Sequence, residues 1–370
     1  MCKRYLLIFF LLASCTSRPS SSLGHEPSSA HPTLFGTDRL ARVVAVYSHL
    51  KTVFSDWNLN GYGRDCALVF GESEEWLLGC SSLAGKSGFI ETGETWNGAV
   101  VLWNSKSFYV DNKYVPYEQI KLNLVGTVGK ATEQDNPNAT KPVLILQDWG
   151  ALHKNHPGFQ DSNMEEWLGI FVHEAFHAHQ MWHPQVFSFM EKWSKETIAT
   201  ADELVTFYKA NDAFQAAVKK EHEVLKAAVA STLTVRSAKD VLRKWLDLYR
   251  ERRDSFEPQM ERAMPGKRAW MVDGFETFLE GTARYVEAKF LISPAGNFSS
   301  LDQDPTFKNF VESKGKNPSQ LPGLSGLGGK YFYSIGMYLS FLLDVADPEW
   351  KGHVFETDGL LLDRVIAATK

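Results

Sequence analysis

The chain is poor in cysteine, has no surplus of positive charge and has no long apolar run beyond its first residues. Each shortage removes a class of protein. Only four cysteines are present among 370 residues, Cys2, Cys15, Cys66 and Cys80. No histidine or further cysteine near Cys66 and Cys80 completes four ligands, so a zinc site built on that pair is excluded. The 39 lysines and arginines are outnumbered by 44 acids and are interspersed with them throughout, so no basic stripe exists to attract nucleic acid or hold a membrane by charge. Gly85-Lys86-Ser87 has the ending of a phosphate-binding loop, but Gly79 stands one residue too far upstream, and a nucleotide partner is excluded. The apolar run at residues 6–12 is too short to span a bilayer, and no second candidate follows. No internal repeat is present, which leaves one large domain or two closely associated lobes.

What the chain does have is concentrated in His173-Glu174-Ala175-Phe176-His177, an instance of H-E-x-x-H. On a helix, histidines four apart share a face and can grip a single Zn²⁺, while the intervening glutamate can deprotonate a metal-bound water. The surroundings predict such a helix. Ser162 and Glu165 stand in capping-box relation at its start. Met164, Trp167, Leu168, Phe171, Val172 and Ala175 recur at helical spacing and would bury both histidines, and Pro184 is expected to close the helix. Two buried imidazoles beside a buried carboxylate are costly without a cation.

Zinc needs a third protein ligand and, for catalysis, an open fourth position. His183 follows His177 at a spacing similar to that of the metzincins, H-E-x-x-H-x-x-G-x-x-H. Gln180 replaces the glycine of that pattern, and a continuing helix would carry His183 about 240° around its axis from His177. Met264 before Pro265-Gly266 is only a generic match to the methionine turn of that family. The stretch at residues 273–285, ending Glu280-Gly281-Thr282-Ala283-Arg284-Tyr285, instead resembles the gluzincins, the thermolysin-like and aminopeptidase-like zinc peptidases. In these a glutamate on a second helix completes the site in a segment of the form E-G-x-A-x-Y. The resemblance implies Glu280 as third ligand. Glu276, one turn earlier, is the rival: in that register Glu276 would bind metal and Glu280 would orient a histidine. Gly281 and Ala283 are expected to let this helix approach the HEAFH helix closely. The resemblance also implies a zinc-activated water, Glu174 as general base, and a tyrosine or histidine donor for the oxyanion. Tyr331, Tyr333 and Tyr338, after the glycine-rich residues 322–329, open an apolar helix running to Leu343, and Tyr333 is the candidate donor.

At the amino terminus, Lys3 and Arg4 precede the short apolar run, and Leu12-Ala13-Ser14-Cys15 resembles the lipobox of bacterial lipoproteins. That resemblance implies removal of residues 1–14 as a signal peptide and membrane attachment through lipid on Cys15. Thr16 at the following position implies the outer membrane in a Gram-negative cell. Loss of Lys3 and Arg4 would move the formal charge from -5 to -7. Residues 15–36, rich in serine and proline, read as a tether. Cys66 and Cys80 then remain as an even pair, and a hairpin centred near Ser73 would set them face to face for a disulfide.

The expected fold class is α+β and zincin-like. Residues 37–160 read as the β-rich part. A first helix carries Leu40, Val43, Val44, Tyr47 and Leu50, and short runs at 66–70, 99–103, 108–110 and 143–147 predict a twisted, mainly antiparallel sheet. The last run precedes the HEAFH helix; as an edge strand it would take an extended peptide by β-augmentation, and its apolarity equally suits an interior strand. Residues 161–370 read as mainly helical, with the HEAFH helix, an insertion of two or three long helices over 187–262, and the Glu280 helix. Together these features predict an exported, lipid-anchored metallopeptidase of the cell envelope with one Zn²⁺ per chain and a peptide or protein substrate. The alternative is a surface lipoprotein on a zincin scaffold that binds without turnover.

Overall fold

The computed structural model describes residues 34, 39–59, 67–71, 74–79, 89–96, 99–105, 107–110, 113–116, 126–128, 144–150, 152, 164–181, 183–195, 198–292, 319, 327–356 and 360–370. Residues 1–14, expected to be a signal peptide, Cys15, Cys66, Cys80 and Ser162 lie outside the described residues, as do residues 15–36, expected to be a tether, apart from Leu34. The chain forms two compact units, Met1–Tyr47 with Arg64–Ala178, and Ser48–Gly63 with His179–Lys370. Helix α1 (Arg39–Asp56) and helix α2 (Met164–Gln180) each run from the first unit into the second. No helix among the described residues is long and apolar enough to cross a membrane.

The first unit is built on strands β1 (Ala67–Phe70), β2 (Glu74–Leu78), β3 (Ile90–Trp96), β4 (Ala99–Ser105), β5 (Ser107–Val110), β6 (Lys113–Pro116), β7 (Gly126–Val128) and β8 (Leu144–Gln147). Six of them form one sheet in the order β3-β4-β2-β1-β8-β7, and β5-β6 is a separate hairpin. Every pairing is antiparallel except β1 with β8, which is parallel. Strand β1, Ala-Leu-Val-Phe, is buried at all four positions, as a strand covered on both faces must be. Strand β8 is interior, hydrogen-bonded to β1 on one side and β7 on the other. Of the two expectations for this run the interior one holds, and the edge one does not: both its sides are already paired, so no peptide can add to it. The true edge at β3 is largely exposed and charged, with a register shift between Glu91 and Thr95 and Gly93 at φ 80°, features that blunt further strand addition. The β1–β2 register sets Ala67 opposite Leu78, one residue away from a hairpin centred on Ser73.

Helix α2 packs on this sheet through its first two turns. Trp167 Nε1 donates to the Gln147 carbonyl at 2.7 Å, and Phe171 meets Trp96 edge-on at 5.2 Å.

The second unit holds helices α3 (Pro184–Lys195), α4 (Ala201–Ala210), α5 (Asp212–Val229), α6 (Val235–Ala263), α7 (Ala269–Ile292), α8 (Phe332–Ala346), α9 (Trp350–His353) and α10 (Leu360–Ala368). Among the described residues the two long helices α5 and α6 separate the HEAFH helix from α7, as expected, together with the shorter α3 and α4. The extra breaks are written in capping residues: Thr200 and Glu203 form a capping box at the start of α4, and Asn211 ends α4 while capping α5. Pro184 does not close α2, which stops at Gln180. It opens α3 in the first helical position, where a missing N–H costs nothing.

Helix α7 is buried along nearly its whole length yet carries Asp273, Glu276, Glu280 and Glu287 inside. The first of these is held by a buried ionic network. Arg252 of α6 binds Glu221 of α5 and Asp273 of α7, Tyr331 donates its hydroxyl to Asp273, and Trp245 Nε1 donates to Glu221 at 3.1 Å. The guanidinium is boxed by Phe214, Tyr249, Trp270 and Tyr331, at 4.9–5.6 Å from the ring centroids. Four elements are thus tied around the first turn of α7.

Candidate metal centre

His173, His177 and Glu280 each present a ligand atom, and these atoms all lie within 4.8 Å of one another with all three residues buried. The helical repeat of α2 puts the two imidazoles on one face, where their Nε2 atoms are 3.1 Å apart. Two nitrogens bound to one tetrahedral ion at about 2.0–2.1 Å each would stand about 3.3 Å apart, so the pair needs little adjustment to share a cation. Two neutral imidazoles and one carboxylate also form a donor set that leaves room for an open position. The residues therefore fit a divalent metal. Glu174, next to His173 on α2, is buried as well.

The position of Glu280 comes from contacts at both ends of its neighbourhood. Gln180, the last residue of α2, is fully buried and donates from Nε2 to Thr282 Oγ1 of α7 at 2.9 Å. Thr282 in turn donates to the Phe278 carbonyl at 2.7 Å. The side chain that replaces the metzincin glycine is thus the one that fixes α2 to α7. Gly281 does not face α2, contrary to the sequence expectation. It faces Gly336 of α8, and a Cβ added at Gly336 would stand 2.7 Å from Gly281 Cα and closer still to the Thr277 carbonyl oxygen.

The other candidates fall as follows. Tyr333 donates its hydroxyl to Glu280; burial, the charge of Glu280 and this bond hold the phenol well above the usual tyrosine range. Tyr331 is spent on Asp273, and Tyr338 packs edge-on against His222 at 5.5 Å. Glu276 is buried one turn before Glu280 but is outside the three-ligand group, and its Oε1 has no hydrogen-bond partner. Burial first, then the charge of Glu280, raises its carboxyl well above the ordinary range. His183 is not among the grouped ligands. Its ring stacks on Phe355 at 4.1 Å, its Nδ1 accepts from the Gln185 amide at 3.3 Å, and burial lowers its pKa. It serves as the start of α3. Met264 is the buried C-cap of α6.

Two residues went unnoticed in the sequence. Arg284 and Lys330 place their cations 5.1 Å and 5.8 Å from the centroid of the Tyr333 ring. Arg284 lies one helical turn after Glu280, and Lys330 lies just before α8, three residues before Tyr333; both spacings are local, but neither marks a site by itself.

No protein-family model, curated protein or solved structure matched the chain.

Proposed function

We propose that the chain is a zinc-dependent peptidase of gluzincin type on a zincin-like fold, exported and anchored by lipid on Cys15. The observation that supports this most is the buried grouping of His173, His177 and Glu280, with Glu174 adjacent to the first histidine on the same helix.

In this reading His173, His177 and Glu280 hold one Zn²⁺, which when bound supplies an acidified water and a polarised scissile carbonyl. Glu174 takes the proton from the attacking water and returns it to the leaving nitrogen. Tyr333, held protonated beside Glu280, would turn its hydroxyl from that carboxylate to donate to the developing oxyanion. The burial of all these groups strengthens each charge interaction and keeps bulk water away. The lipid anchor and cell-envelope address rest on the amino-terminal sequence.

A peptide-library digest read by mass spectrometry tests the proposal. Zinc-loaded protein should cleave peptides, while Glu174→Gln should bind zinc equally and cleave none. If neither protein cleaves while both hold zinc, the chain is a binding lipoprotein and the peptidase reading fails.

A further inference from the structure

The ring of Tyr333 carries a positive charge from each of two elements. Lys330 Nζ stands 5.8 Å from its centroid and Arg284 Cζ 5.1 Å, while the hydroxyl of the same ring is bonded to Glu280. Both cationic side chains are half-buried. Arg284 uses one nitrogen on Glu287 at 2.9 Å, and its Nε is buried without a hydrogen-bond partner. Lys330 forms no ion pair among the described residues. Neutralising Glu276 does not account for it: the charge of Lys330 acts on Glu276, yet Glu276 Oε1 is left with no partner. Lys330 thus stands over the Tyr333 ring without closing on the free oxygen of Glu276.

A phenol spans about 3 Å from centroid to hydroxyl, which puts both cations within about 9 Å of the Tyr333 hydroxyl. An extended chain advances about 3.3–3.6 Å per residue, so that distance is at most about two to three residues along a substrate. Arginine and lysine at that remove from a scissile bond suit a carboxylate, which takes charge-assisted hydrogen bonds from both.

We propose that Lys330 and Arg284 form a carboxylate-binding subsite beside the metal centre, selecting peptides that carry a negative charge within about two to three residues of the cleaved bond. The carboxylate is either the peptide's own C-terminus or an acidic side chain. This inference rests on the peptidase reading and names the substrate class for it.

The test uses matched peptides: one with a free C-terminus, the same peptide amidated, and amidated versions with glutamate or glutamine near the scissile bond. With zinc-loaded wild type, KM should be at least about tenfold lower for one of the carboxylate forms than for its neutral counterpart, the scale of one charged hydrogen bond. Whether the free C-terminus or the glutamate peptide gains identifies the source. Lys330→Met and Arg284→Met should each raise that KM towards the neutral value. Calorimetry on metal-free protein with the same peptides gives a second readout, in which the carboxylate preference persists and is lost in both variants. Cleavage with no charge preference, or with a preference unmoved by both substitutions, overturns the subsite and leaves the peptidase reading standing. Charge-dependent binding with no cleavage keeps the subsite and removes the peptidase; neither binding nor cleavage removes both.

Discussion

Gly281 of α7 and Gly336 of α8 meet backbone to backbone, close enough that a side chain on either would overlap the other helix. The contact sits next to Glu280 in one helix and one turn after Tyr333 in the other, so it sets the separation across which the tyrosine hydroxyl reaches the carboxylate. Gly336→Ala should cost about 1–3 kcal/mol through overpacking and weaken zinc binding as the helices part, by about tenfold if the Tyr333 bond is lost. Urea denaturation and zinc titration against a competing chelator check both effects. A variant with unchanged midpoint and unchanged zinc affinity would show that the close approach is not required.

Tyr333→Phe removes the hydroxyl and little else. Turnover should fall about 100-fold, the usual scale for one oxyanion donor, while saturating zinc still loads one site. A kcat within twofold of wild type would assign the oxyanion to another group.

Arg252→Met strips the cation from a network in which Glu221 and Asp273 are both buried. Removing one partner of a buried pair leaves its acids uncompensated, and the expected loss is about 3–5 kcal/mol. The loss is read from chemical denaturation. A variant as stable as the parent would mean that the aromatic box alone holds this region.

His49 gives the protein a pH dependence independent of metal. Burial, with a smaller opposing hydrogen bond to the Val286 backbone and repulsion from Lys289, lowers its pKa to about 4. A folded-state pKa below the unfolded value of about 6.5 means that the unfolded chain binds the proton more readily. Stability should therefore fall as pH drops from about 6.5 to about 4, by up to about 3 kcal/mol. The slope should flatten in metal-free His49→Leu. An equal slope in the variant would place the titration elsewhere.

The legible parts of this chain were those in which a local pattern carries the physics. HEAFH is visible because residue types able to bind metal stand four apart on a helix face, and Glu280 because its segment, Glu280-Gly281-Thr282-Ala283-Arg284-Tyr285, resembles that of the gluzincins. Strands β1, β2, β4 and β8 announce themselves as short apolar runs. Strand β3, Ile-Glu-Thr-Gly-Glu-Thr-Trp, does not, since an exposed edge has no need of apolar residues. Gln180 read only as a missing glycine, although its amide is what fastens α2 to Thr282. Gly281 was recognised as a close-approach residue but matched to the wrong helix, because Gly336 lies 55 positions away and no spacing rule connects them. Lys330 is local to Tyr333, three residues before it, but its relation to Arg284 exists only once α7 and α8 are packed.

The central claim is that His173, His177 and Glu280 hold one zinc ion. Metal content after removal and replacement of metal, measured on wild type, Glu280→Ala and Glu276→Ala, tests it directly. One zinc per chain is expected for wild type and for Glu276→Ala, with little or none retained by Glu280→Ala. Zinc-free wild type would contradict the claim outright, and loss of zinc in Glu276→Ala but not in Glu280→Ala would move the third ligand one turn along α7.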